Sequence, residues 1–183
     1  DGLFVSSEHG PSGEMGHGHD EINVIVKGKN YGWPKVVGNS SDDIFVNPII
    51  HSGQSTWAPS GMVFFNSDKI PSLEGKFLVA ALRGQHLMVV NVAEDGSLIS
   101  AEKMFDGDFG RIRTAEIGPD GILYLLTANG DNDKIIRISE APLDDVEKFT
   151  SNESDSNQTI FYLIIGVIVT GAVVGVIVIK RKR

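Results

Sequence analysis

The chain has 183 residues, 41% hydrophobic, with 21 glycines and no cysteine. That length suits one domain of ordinary size, and the lack of cysteine excludes a disulfide framework and a thiolate metal site. The formal net charge is −8; four of the sixteen basic residues form the terminal run Lys180-Arg181-Lys182-Arg183, which leaves 12 basic residues against 24 acidic ones in the rest. A body that acidic argues against nucleic acid as a partner, because phosphate binding needs clustered Lys and Arg.

In chain order, Leu3 to Ser7 reads as a short strand with a turn, Asp1-Gly2, before it. The chain opens inside what looks like the second half of that turn, with no signal-peptide pattern, so the expectation is a C-terminal piece of a longer protein. A Gly/His-rich loop, Gly10 to His19, leads to the carboxylate pair Asp20-Glu21 and a second strand, Ile22 to Val26. From Tyr31 to Trp57 the sequence is irregular, and a connection that long inside a compact domain is often functional.

From Ala58 the punctuation becomes regular. Gly61 to Phe65, Lys76 to Leu82, Leu87 to Val92 and Leu98 to Phe105 read as four strands separated by turns, the last of them Glu94-Asp95-Gly96. The series restarts with Ile112 to Ile117, Ile122 to Thr127 and Ile135 to Ile138, broken by Gly118-Pro119-Asp120-Gly121 and Asn129 to Asp133. Equivalent strands centred on Leu78 and Leu123 lie 45 residues apart. Four short antiparallel strands per about 40–50 residues is the period of a β-propeller blade.

Residues 141–159 hold Ser, Asn, Asp and Glu with few apolar residues and read as a polar stalk. Asn-x-Ser/Thr triplets start at Asn39, Asn152 and Asn157, a weak signal for glycosylation. Residues 160–179 are twenty without a charge, and a helix of about 1.5 Å per residue would span the roughly 30 Å of a bilayer's hydrocarbon core. The expectation is a transmembrane helix, with the basic residues 180–183 as a cytoplasmic tail and the acidic body, residues 1–140, outside the cell. Gly171-x-x-x-Gly175 would let two such helices pack closely, which allows a homodimer.

Outside the tail there are four arginines. Arg83 follows the strand that ends at Leu82, and Arg111 and Arg113 stand two apart, so both point to one face of a strand. Guanidinium groups so placed suit a planar polyanion, which they grip by forked hydrogen bonds and stacking. The alternative is solvated charge or ion pairs with Asp106 and Asp108. Asp20-Glu21 is either a solvated turn or, with bare loop carbonyls, a set of oxygen ligands for a hard cation such as Ca2+. His9, His17 and His19 make a weaker case for a transition metal.

The order Glu-x-Gly-Pro (Glu8 to Pro11), Asp-Glu-Ile-Asn (Asp20 to Asn23) and Asn-Tyr-Gly-Trp-Pro (Asn30 to Pro34) resembles the calcium- and cofactor-binding segment of the soluble glucose/sorbosone dehydrogenases that depend on pyrroloquinoline quinone (PQQ). The resemblance implies a six-bladed β-propeller, of which this chain would be about the last three blades, an all-β fold. It implies that the backbone carbonyls of Gly10 and Pro11 bind the catalytic Ca2+ and that Asp20, Glu21 and Tyr31 match a second, structural calcium site. Phe109-Gly110-Arg111-Ile112-Arg113 looks like the family's Arg-x-Arg segment, which holds the carboxylates of PQQ, and Arg83 stands where well-known members place a lysine against the cofactor. The loop between Pro11 and Asp20 is longer than in the soluble glucose enzymes. Trp57-Ala58-Pro59-Ser60-Gly61-Met62 resembles a blade start and reads as packing.

The implied activity is oxidation of an aldose hydroxyl by hydride transfer to PQQ, assisted by Ca2+ and drained by an external electron acceptor. The family's catalytic base belongs to blades that this chain does not include, so no histidine here is given that role. The rival reading is a cell-surface propeller that binds or adheres without turnover.

Overall fold

The computed structural model describes residues 2–11 and 17–140, and beyond them two short strands, Val167–Val169 and Ala172–Val174. The body is three antiparallel sheets in succession. The first contains β1 (Val5–Glu8), β2 (Glu21–Val24) and β3 (Ile50–His51), with β2 in the middle. The second is a four-stranded meander of β4 (Pro59–Phe65), β5 (Lys76–Ala81), β6 (Leu87–Val92) and β7 (Leu98–Met104). The third contains β8 (Ile112–Ile117), β9 (Leu123–Thr127) and β10 (Ile135–Ile138).

The strand and turn signals of the sequence land on these elements within one or two residues. Leu78 and Leu123, 45 residues apart, sit in β5 and β9, each the second strand of its sheet. The element missed is β3, two residues long inside the irregular connection and too short to show alternation.

Alternation along the middle sheet shows how the sheets stack. Leu78 and Ala80 of β5 and Leu87 and Val89 of β6 join a core with Ile112, Ala115, Leu123, Leu125, Ile136 and Ile138 of the third sheet. Their neighbours Val79, Met88 and Val90 join a second core with Val5 and Ile22 of the first sheet. Successive side chains on a strand point to opposite faces. The middle sheet is therefore covered on both sides, which is why β5 and β6 read as continuous apolar runs rather than alternating ones. Trp57 and Met62 pack against the second core, the packing role expected of that segment.

The stacking is close. A Cβ on Gly61 of β4 would lie 2.1 Å from Thr114 Oγ1 of β8, so only glycine allows the approach. Across the same contact Ser60 Oγ lies within reach of Ile112 O (3.2 Å) and Ala80 O (3.3 Å), which share its single O–H and tie β4, β5 and β8 at one end.

The expected membrane helix, 160–179, lies mostly outside the described residues. Six of its residues are described, and they form two paired antiparallel strands, Val167↔Val174 to Val169↔Ala172, where helical turns were expected. Among the described residues no helix is long and apolar enough to cross a membrane. The stalk, 141–159, and the tail, 180–183, also lie outside the described residues.

Candidate cofactor and metal site

The Gly/His loop is held by backbone contacts that need glycine. A Cβ on Gly10 would stand 1.9 Å from Gly18 O and 2.6 Å from His19 O. Gly18 itself, at φ +79, has the backbone of residues 53–55 where a side chain would go. His19 N donates to Gly53 O at 2.6 Å, which fastens the loop to the turn after β3.

Asp20 fixes the next layer. Its side chain is buried, Oδ1 accepts from Gly10 N (3.0 Å), and Oδ2 accepts from Trp57 N (2.5 Å) and Ala58 N (2.9 Å). Its own N–H donates to Ser52 Oγ (2.8 Å), and its carbonyl accepts from Ser52 N (2.9 Å). One residue thus joins the loop, the β3 turn and the start of β4. Asp20 does not line the neighbouring cavity, because its carboxylate is engaged by three backbone N–H groups.

That cavity, about 510 Å³, is lined by Gly10 and Pro11, by the carboxylates Glu8 and Glu21, by His9 and His19, and by Tyr31, with Val36, Val37 and Trp33 as its apolar side. Glu8 and Glu21 are direct cross-strand partners of β1 and β2. Like charges placed so repel. Buried Asn23 sits between them, its Nδ2 donating to Glu8 Oε1 (3.1 Å) and Glu21 Oε2 (3.2 Å). Gly38 N adds a bond to Glu21 Oε1 at 2.8 Å. The Tyr31 hydroxyl donates to Val24 O and accepts from Val26 N, both at 2.8 Å. Each Glu21 oxygen has one such partner and keeps a free lone pair. Two carboxylates beside bare loop backbone form an oxygen-rich wall of the kind a hard cation takes.

The two histidines of the cavity wall have partners of their own. His9 Nε2 meets Pro59 O at 2.6 Å, and His19 Nδ1 meets His51 Nε2 at 2.8 Å. No group of three or more His, Cys, Asp or Glu suited to a metal occurs among the described residues.

The arginines lie at the end of the sheets that Ser60 ties together. Arg83 opens the β5–β6 turn, where Gly84 N donates to Trp57 O (2.8 Å). Arg111 immediately precedes β8; its N–H donates to Asn129 Oδ1 (2.9 Å), and its carbonyl accepts from Ala128 N (2.8 Å). Arg111 and Arg113 are both exposed and flank buried Ile112, as alternation requires. A bulge between Ile112 and Thr114 then shifts the phase, so the next buried position is Ala115. The β5–β6 and β7–β8 turns are joined directly, Gly107 N donating to Gln85 O at 2.9 Å. Among the described residues the one ion pair is Lys69–Asp68 at 3.9 Å, so none of the three arginines is paired with Asp106 or Asp108. None of them lines the cavity, but Gly84, next to Arg83, is bonded to Trp57, whose N–H reaches the same Asp20 carboxylate that holds Gly10.

The family model of the glucose/sorbosone dehydrogenases matches residues 1–137, and the chain belongs to that family. It is 36% identical over 135 residues to the aldose sugar dehydrogenase YliI of Escherichia coli, covering 66% of this chain and 34% of that protein. Among solved structures, an oxidoreductase (glucose dehydrogenase) of Thermus thermophilus is 39% identical with a TM-score of 0.61, over 74% of this chain and 41% of that one. The PQQ-bound aldose sugar dehydrogenase of Streptomyces coelicolor is 26% identical with a TM-score of 0.58, over 75% and 40%. The chain therefore spans well under half the length of these relatives.

Proposed function

We propose that this chain is the C-terminal portion of a PQQ-dependent aldose dehydrogenase held on a membrane. The observation that carries the reading is the set of three exposed arginines, Arg83, Arg111 and Arg113, without an ion pair among the described residues, at a sheet end that Trp57 and Asp20 tie to Gly10 and the oxygen-lined cavity. A flat tricarboxylate suits such guanidinium groups, which are always charged and fork onto carboxylates. The cavity's carboxylates and carbonyls suit Ca2+. When bound, PQQ supplies a two-electron acceptor for a sugar's hydride and Ca2+ supplies a Lewis acid.

The chain's own residues then have distinct tasks. Arg111 and Arg113 anchor the cofactor's carboxylates, and Arg83 brings a third positive charge from the adjoining turn. Gly10 and Pro11 offer carbonyls to the catalytic ion, with Glu21 and Tyr31 at the structural one. Asp20 holds Gly10 and Trp57 in place, which fixes the wall that the ions need. The proton acceptor belongs to the part of the family's length that this chain does not span. Twenty uncharged residues followed by Lys180-Arg181-Lys182-Arg183 support a single membrane anchor with the propeller outside the cell and the tail inside.

The test is turnover by the complete protein, supplied with PQQ, Ca2+ and a dye as electron acceptor. Aldose oxidation by the complete protein and none by this chain alone is the expected pair of results. A complete protein that oxidises no aldose under these conditions contradicts the reading and leaves a propeller that only binds.

A further inference from the structure

We infer that His86 is a positioning residue for Arg83: its ring, buried behind the β5–β6 turn, sets the backbone from which the arginine reaches the cofactor. The inference rests on the reading of Arg83 as a PQQ ligand. His86 is 0% exposed, and its Nδ1 lies 2.9 Å from Gly84 O. A carbonyl only accepts, so Nδ1 carries the proton and donates it. In the neutral ring Nε2 is then a bare acceptor, and it has no partner among the described residues.

Packing around the ring leaves the turn little freedom. A Cβ on Gly84 would lie 2.5 Å from His86 Cε1, so the ring occupies the space a side chain at position 84 would need. Trp57 meets the ring edge-on, centroids 6.2 Å apart, and Trp57 O holds Gly84 N at 2.8 Å. The His86 carbonyl accepts from Ala81 N at 3.0 Å, closing the turn. Between them Gln85 takes φ 54, a left-handed conformation that a non-glycine residue keeps only when its surroundings hold it. Gln85 O then receives Gly107 N, at the start of the turn that leads to Arg111. His86 thus stands at the junction of three segments: the Asp20-held Trp57, the Arg83 turn and the approach to Arg111.

The ring works only while neutral. Protonation would put a second N–H, at Nε2, into a buried place with no acceptor. Burial holds its pKa below the ordinary 6.5; the bond to Gly84 opposes that shift, Lys103 of β7 adds to it, and Asp106 of the following turn opposes it. Arg83 is the other charge of the turn itself. The unfolded chain takes up the proton first as the pH falls, so this junction is at full strength above about 6.5 and weakens as the pH drops below it.

The experiment uses the complete protein and measures PQQ affinity by titration, together with melting of the PQQ-free form, at about pH 8 and about pH 5. His86→Leu removes the donor; His86→Asn keeps an amide N–H near the Nδ1 position and does not titrate. The expected results are a roughly tenfold loss of affinity in His86→Leu, near-normal affinity in His86→Asn, and an acid-side loss of melting temperature in the unaltered protein that is smaller in His86→Asn. In an Arg83→Ala background His86→Leu should cost much less affinity than in the unaltered protein. Equal affinity of His86→Leu and the unaltered protein, or the same acid-side loss in His86→Asn, overturns the inference. Failure of the unaltered protein to bind PQQ at either pH sinks the functional reading and this inference with it, whereas uptake indifferent to His86 sinks this inference alone.

Discussion

Asp20 and Trp57, 37 residues apart in sequence, are joined by a backbone N–H to carboxylate bond of 2.5 Å. The same carboxylate holds Gly10 and Ala58, so one buried side chain connects the metal-side loop to the strand end beside the arginines. Removing it strands three backbone donors. Asp20→Ala in the complete protein should lose about 3 kcal/mol or more of stability, read by urea denaturation. The loss should be the same with chelator present, because the role is in the fold; a loss that vanishes on chelation would make Asp20 a calcium ligand instead.

Glu21 should behave differently. It lines the cavity with free lone pairs and sits opposite Glu8, whose repulsion a cation would relieve. Anything bound only by the folded state raises its stability by mass action. Chelation should therefore lower the melting temperature of the complete protein, and Glu21→Ala should reduce that response. A Glu21→Ala variant that still responds fully to chelator contradicts the assignment.

The membrane orientation is open to protease. Added to intact cells that make the complete protein, it should release the acidic body by cutting within residues 141–159. A body protected from external protease would reverse the proposed orientation.

The sheets are legible in the sequence because each strand is local: an apolar run closed by turn chemistry such as Glu94-Asp95-Gly96, between β6 and β7, or Gly118-Pro119-Asp120-Gly121, between β8 and β9. The arginines and Gly10-Pro11 draw notice in the sequence because their residue types and spacing match the family's segments. What the sequence hides is partnership at long range. Asp20 looks like half of an acidic pair, and only the fold brings the N–H groups of Trp57 and Ala58 to it. His51 lies in the irregular connection, and its partner His19 is 32 residues away. His86 follows a turn and looks like a surface residue until the sheets close over it.

On this account the end of the sheets that carries Arg83, Arg111 and Arg113 binds PQQ through those exposed guanidinium groups. The most direct measurement is PQQ titration of the complete protein against the Arg111→Ala variant. Loss of a charge-assisted contact should weaken binding about tenfold to a hundredfold. Equal binding by the two proteins, or no binding by either, would contradict it.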